Sequence, residues 1–473
     1  MRERSGSVAL RAHTVDRRHL SVLAAGGGPL SEPARRAITT FDSLVIPDGT
    51  PFTLDGGGDA NRVADINDYL VSAVRVRAIQ LVTAKSTAYH LLRALRFIRA
   101  RTPGTSSAQA LRLTDATTDD IVAYRDHRRA TISARSWNTE LAALSAFFDW
   151  AVAAGRIDRN PLPRWGSRQR STLKAREVLL ISPRFLSERQ LRAFLNIGLR
   201  GDGQPDIRHG ERDYAFGLTL VSTGLRREEA ALLLDLEVPT LSKMPNNGVH
   251  EFTRYGKLGR PRVVFITNEL AQATDFYRAT TRRHLVEQAQ GTLRRRRRDG
   301  QLLIVEELRT DARGRATLII DGAGVPPELL SNQDRQRTVT ILGDGTIEPL
   351  GLFVTRFGLP AKIASWNTVF TNAEERLRRS DTPDQAPLHI HITPHTMRHT
   401  YAVRMLAALM RQGRERSSNP YHLLASPLIT LQQLLGHASP ETTRRYLVAA
   451  ETYEDLLPTA LREHVASAVG VVA

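Results

Sequence analysis

Cysteine is absent from all 473 residues. That removes thiolate metal sites and a cysteine nucleophile, and it suits a reducing compartment. Lysine is scarce: Lys85, Lys174, Lys243, Lys257 and Lys362 stand against an otherwise arginine-borne total of 66 basic residues. Arginine cannot give up a proton at working pH, so a lysine retained in such a chain is a candidate proton donor. No apolar run reaches the roughly eighteen residues that a membrane-spanning helix needs. The N-terminus MRERSGSVALRAHTVDRRHL lacks a signal-peptide core. A soluble chain with no membrane partner is expected. What is present in excess is positive charge, with 66 Lys and Arg against 49 Asp and Glu, a net +17. Such a balance points to a polyanion, most economically nucleic acid, although a ribosomal protein would share it.

Along the chain, residues 1–60 show little helical periodicity and carry GGG at 26–28 and 56–58. They are read as a flexible or DNA-contacting arm. Residues 61–163 turn helical. Leu91, Leu95 and Ile98 repeat at helical spacing, Leu141, Leu144, Phe148 and Ala151 form a second stripe, and TDATTDDIVAYRDHRR supplies a capped helix between them. Asn160-Pro161 ends this all-α unit. Residues 164–184 read as a basic linker. A second domain is expected over 185–455, opened by a capping box of Ser187 and Gln190. Within it, EFTRYGKLGRPRVVFIT predicts a β-hairpin, and an inserted segment at about 284–350 carries alternating strand patterns and Gly-rich turns. Residues 456–473 form a tail with apolar spacing. The fold class is thus mainly α with a small β component, in two domains.

Four clusters carry chemistry. TGLRREEA holds Arg226 at a helix start, where backbone and guanidinium both favour a phosphate. Glu229 either orients Arg226 or simply pairs with it as an exposed residue. YGKLGR holds Lys257 on the hairpin turn. PHTMRHT places His395 and Arg398 on one helical face, with His399 and Thr400 beside them. His395 and His399 also have metal-pair spacing, but no acid follows where a HExxH site needs one. In LGHASPETTRRYL, Tyr446 follows His437 by nine residues, and Ser439 with Pro440 predicts a helix start that sets Tyr446 on the second turn. A phenol ionises near pH 10, so a nucleophilic role needs neighbouring cations. Most helix tyrosines merely pack, so a nucleophilic Tyr446 is expected only in company with the rest of the set. Arg294, Arg295 and Arg296 in the run Arg294–Arg298 are read as phosphate contacts or a solvated loop in equal measure. Arg135, Asn138, Arg260 and Arg262 are further DNA-contact candidates.

These motifs resemble those of the tyrosine recombinase (phage integrase) family: TGLR-x-x-E, a hairpin lysine, H-x-x-R-H-T, L-G-H and a tyrosine nine residues on. The resemblance implies a C-shaped clamp on duplex DNA, with a core-binding domain at 61–163 and a catalytic set of Arg226, Lys257, His395, Arg398, His437 and Tyr446. It implies a 3′-phosphotyrosyl link, strand exchange through a Holliday junction in a homo-tetramer, and neither metal nor ATP. It also implies a bacterial, nucleoid-associated protein, with host bending proteins, accessory recombinases or directionality factors as partners. The C-terminal tail would dock on a neighbouring protomer or pack at home. A type IB topoisomerase is disfavoured by His395, a carboxylate nuclease by the lack of a spaced acidic triad, and a non-catalytic regulator by the complete set. Integration, excision or transposition of a mobile element is expected, with dimer resolution as the alternative.

Overall fold

The computed structural model describes residues 11–14, 46–47, 49–54, 63–101, 111–165, 170–176, 184–202, 208–256, 261–311, 315–380, 391–415, 426–437 and 439–453. It divides into two compact units, 1–179 and 180–473.

In the first unit, strands β1 (Arg11–Thr14) and β2 (Pro51–Leu54) pair antiparallel, so the N-terminal arm contributes ordered backbone. Four helices follow: α1 (Ala64–Arg75), α2 (Leu81–Arg101), α3 (Thr118–Arg129) and α4 (Ala134–Ala153). Their apolar stripes meet in one core, where Leu91, Leu95, Leu144, Phe147 and Phe148 are fully or almost fully buried. Within it, Glu140 accepts from Tyr124 (2.9 Å), Arg128 and Arg93, so a buried carboxylate ties three helices together. Thr117 caps α3 in a box with Asp120. Strands β3 (Arg164–Trp165) and β4 (Arg170–Ser171) form a short ribbon inside the expected linker. Just beyond it, Leu173 accepts from the Trp137 indole (2.8 Å), which fixes the chain against α4.

In the second unit, α5 (Glu188–Ala193) starts at the Ser187–Gln190 capping box and runs on as a π-turn segment, Phe194–Arg200. Next come α6 (Gly210–Thr223) and α7 (Arg227–Ala231). The hairpin β5 (Val249–Tyr255) and β6 (Pro261–Thr267) pairs Tyr255 with Pro261, and its turn lies outside the described residues. α8 (Asn268–Tyr277) leads through a second π-turn segment, Arg278–Arg282, into α9 (Arg283–Arg298). The inserted segment is therefore part helix: the arginine run is the last turn of α9 and not a loop, where its charge suits the helix C-terminus. Six strands follow: β7 (Leu303–Val305), β8 (Glu307–Thr310), β9 (Ala316–Ile320), β10 (Ala323–Val325), β11 (Thr338–Ile341) and β12 (Ile347–Pro349). A short helix, α10 (Asn332–Arg335), precedes β11. The strands make two three-stranded sheets, β10-β9-β8 and β12-β11-β7, with β7 and β11 parallel. Buried Arg335 fastens this segment down, donating to both oxygens of Glu237 (2.8 Å each).

The chain closes with α11 (Ser365–Arg379), α12 (Pro394–Glu415), α13 (Pro427–Leu435), α14 (Pro440–Arg444) and α15 (Leu447–Tyr453). Phe216 on α6 stacks on Trp366 of α11 at 3.5 Å between ring centres, at the middle of the main core. A second core gathers Tyr401, Leu406, Leu431, Leu435 and Tyr446 from α12 to the α14–α15 junction. The expected tail, 456–473, lies outside the described residues.

Candidate active site

Two glycines set the frame. Helix α6 ends at Gly224 with φ +63, and a Cβ there would lie 2.4 Å from the Tyr401 ring. Helix α13 ends at Gly436 with φ +61, where a Cβ would press on the Arg262 side chain at 3.1 Å. Both positions need the left-handed backbone that glycine adopts without cost.

Beyond Gly224 the chain straightens, and Arg226 becomes the residue before α7. Glu229 reaches back from the first turn: it accepts from the Arg226 amide (2.7 Å) and from its guanidinium (2.9 Å). On its other side, Arg262 donates to both carboxylate oxygens (3.2 and 2.5 Å). One carboxylate thus holds two guanidiniums. Burial opposes its charge, but the Arg262 hydrogen bonds, then the charges of Arg262 and Arg226, hold Glu229 down at about 2. The Arg226 side chain stays 34% exposed, leaving a face for an anion.

Arg262 is a correction to the sequence reading, which offered it to DNA. Its side chain is only 2% exposed. The alternation along β6 turns Arg262, Val264 and Ile266 inward, and in this conformation its charge is spent on Glu229.

Helix α12 supplies the next layer. Buried Arg398 donates to the carbonyls of Gly224 and Leu435, the last at 2.6 Å. Burial, then the charges of Arg226 and Arg262, lower it to about 9, which leaves it charged at neutral pH. One turn earlier, His395 is exposed, and its ring meets His399 edge-on at 4.2 Å. His399 Nδ1 and the Tyr446 hydroxyl share a hydrogen bond of 2.8 Å. Thr400 donates to Thr396 O (2.9 Å) and accepts from the Leu186 amide (3.0 Å), tying α12 to the segment before α5.

Tyr446 does not sit on a second helical turn. α14 is only five residues long, and the Tyr446 amide donates back to Thr443 O (3.0 Å) in the turn before α15. That turn drops the side chain inward, to 2% exposure. The His437 ring lies nearly parallel to it at 6.2 Å, and His437 Nδ1 shares a hydrogen bond with Thr443 Oγ1 (2.9 Å). Burial lowers both imidazoles to about 3, helped by His395 and Arg445 at His399 and by Arg398 and Arg226 at His437. Both are neutral at physiological pH. Burial also raises the Tyr446 hydroxyl, against the pull of Arg398, Arg445 and Arg226.

The structure therefore brings together Arg226, Glu229, Arg398, His395, His399, His437 and Tyr446. Lys257 and Arg260 lie outside the described residues. Arg135 and Asn138 belong to the first unit. Arg135 is exposed on α4, while Asn138 spends its amide on the Ala175 backbone (3.0 and 2.9 Å) and is not presented to a ligand. Arg294 and Arg295 are exposed on α9, and Arg296 is half-buried. The sequence reading passed over Thr443 and Arg445. The position of Arg445 next to the tyrosine was the only signal available, and a threonine on a short helix gave none.

Comparison with known proteins adds the following. Residues 81–155 match the phage integrase N-terminal SAM-like domain. A tyrosine recombinase XerC of Chlamydia pneumoniae is 36% identical over 99 residues, 21% of this chain and 24% of that protein, so the chain spans about a quarter of that relative. A XerC of Roseiflexus castenholzii (strain DSM 13941 / HLO8) is 26% identical over 333 residues, covering 70% of this chain and 74% of that one. Among solved structures, the Tn1549 transposon integrase in complex with transposon right end DNA superposes with a TM-score of 0.45 at 17% identity, over 81% of this chain and 94% of that one. The XerH recombinase bound to its difH substrate gives 0.42 at 15%, over 82% and 85%.

Proposed function

We propose that the chain is a site-specific DNA recombinase of the tyrosine recombinase family, a reading supported by its similarity to the phage integrase SAM-like domain and to XerC, and that its nucleophile is Tyr446. The observation that carries this reading is the buried Tyr446 hydroxyl, hydrogen-bonded at 2.8 Å to an imidazole that is neutral at physiological pH, among the charges of Arg226 and Arg398.

In the proposed reaction the Tyr446 oxygen attacks the scissile phosphorus and its proton passes to His399 Nδ1, the nearest base. The exposed face of Arg226 holds non-bridging oxygens, and buried Arg398 adds its field from behind as charge builds on phosphorus. His395 and His437 line the same pocket as hydrogen-bond donors to phosphate. Lys257 protonates the 5′ oxygen as the P–O bond breaks, leaving a 3′-phosphotyrosyl link and a free 5′ hydroxyl. A 5′ hydroxyl from the partner duplex then attacks that link and releases Tyr446, so one phosphodiester is exchanged for another and neither ATP nor a metal takes part. Four copies exchanging strands in pairs through a Holliday junction on double-stranded DNA complete the cycle. The inserted segment and the N-terminal arm, additions to a minimal recombinase, favour integration, excision or transposition of a mobile element.

The test is a nicked suicide duplex carrying the element's end, incubated with protein in excess EDTA and run on a denaturing gel. Wild type is expected to give a protease-sensitive covalent band that Tyr446→Phe abolishes. Tight binding with no band from wild type, even with host extract added, would replace this reading by a non-catalytic regulator.

A further inference from the structure

A cleft of about 590 Å³ opens between α9, the α10–β11 connection and the start of α11, and none of the catalytic candidates lines it. Four cations do: Arg212, Arg296, Arg337 and Lys362, without a single carboxylate in the lining. Arg212 and Arg337 are already paired, with Asp213 (2.7 Å) and Asp334 (2.8 Å). Arg296 and Lys362 have no ion-pair partner among the described residues. The rest of the lining is largely apolar. Phe357 is 47% exposed, with the Arg356 guanidinium over its ring at 4.8 Å, and buried Trp366 has an indole N–H without a hydrogen-bond partner in the described residues. A concave wall that joins two cations without an ion-pair partner to a half-exposed aromatic ring, one face of which carries the Arg356 guanidinium, fits a phosphate attached to a flat base.

The cleft is also wired to the candidate active site. Asn367, on the first turn of α11, accepts from Arg227 (2.6 Å), and Asn332, on α10, donates to Glu228 (3.0 Å). Both partners lie on α7, the helix whose start positions Arg226.

We propose that this cleft is a nucleotide subsite, taking an unpaired base with its phosphate, supplied by single-stranded DNA or by a free nucleotide. The proposal rests on the recombinase reading only for its biological sense, since a strand end released by cleavage is unpaired before it is exchanged. Binding itself requires no catalysis.

The full-length chain is titrated with fluorescent dT10, with dTMP as competitor, for wild type, Tyr446→Phe, the double variant Arg296→Ala/Lys362→Ala, and Phe357→Ala. All the replaced cleft side chains are at least partly exposed, and circular dichroism checks that the variants fold. The expected result is saturable dT10 binding, weakened about tenfold or more in the double variant and in Phe357→Ala but unchanged in Tyr446→Phe. Photocrosslinking of 4-thiothymidine oligonucleotide should label peptides around Phe357. Displacement by dTMP at micromolar concentration identifies a free-nucleotide site, and its failure identifies a strand site. Folded cleft variants that bind dT10 like wild type, or crosslinks that fall elsewhere, overturn the proposal. Loss of covalent cleavage in the suicide-duplex assay leaves it standing, so the two readings fail separately.

Discussion

Glu229 carries more of the site than its single negative charge suggests, because two guanidiniums take their position from it. Its carboxyl is held at about 2 against an ordinary 4.5, so the folded state binds its proton less readily than the unfolded chain. The resulting stability is fully present above about pH 4.5 and is lost as pH falls through about 2, on the order of 3 kcal/mol at most. Urea midpoints should drop through that window in wild type and drop less in Glu229→Gln. At neutral pH the same variant should lose about 3 kcal/mol and most of its covalent cleavage, since two buried or half-buried cations then face a neutral amide. Wild-type stability in Glu229→Gln would dismiss the shared carboxylate as incidental. The histidines move with the opposite charge but the same sense of pH. His399 and His437 stand at about 3, so they stay neutral in the folded protein while the unfolded chain takes up protons below about 6.5. In the DNA-free protein their ring proton shifts should stay flat between pH 5 and 8, where a solvated imidazole titrates. A midpoint near 6.5 for either ring would mean that it is solvated and not desolvated by its packing.

Among the elements, the termini of α6 and α13 carry the precision. Gly436→Ala forces a side chain into the left-handed region and against Arg262, at a cost of about 1–2 kcal/mol by thermal melting. Because the displaced group is the partner of Glu229, cleavage should fall further than stability does. A variant that loses stability alone would mean that Arg262 has room to yield. Much of this was legible in sequence: Arg226 at a helix start, the Ser187–Gln190 box, the hairpin strands, and the histidine and arginine of α12 all follow from local chemistry. The misjudged features depended on longer-range facts. Arg262 looked available because a strand residue next to a basic turn is usually solvated, and only the pairing phase of β6 shows that it faces inward. The helix carrying Tyr446 looked longer than it is, since nothing local to Pro440 announces a stop at Arg444. The inserted segment gave its strands but not their partners, because β7 and β11 join in parallel across a separation that no local pattern encodes.

For the molecule as a whole, the inserted segment is held by arginine as much as by apolar packing. Arg335 is 1% exposed and is bound to both oxygens of Glu237. Arg335→Ala takes the bidentate partner from a buried carboxylate and leaves it Arg254 at 3.7 Å and the Leu234 amide, so unit 180–473 should lose about 3 kcal/mol in calorimetry while unit 1–179 melts as before. A shift confined to the insert would instead show that it unfolds alone. With a net charge of +17, duplex binding should weaken steeply with added salt, by roughly one log unit of affinity per log unit of salt for each phosphate neutralised. Arg398 joins this scale to the first. Its two hydrogen bonds run to Gly224 and Leu435, at the carbonyl ends of α6 and α13, where two helix dipoles converge their negative poles. Peptide carbonyls fix its position before any nucleic acid arrives, yet they are dipoles and not counter-charges, so the guanidinium keeps its full positive charge behind Tyr446.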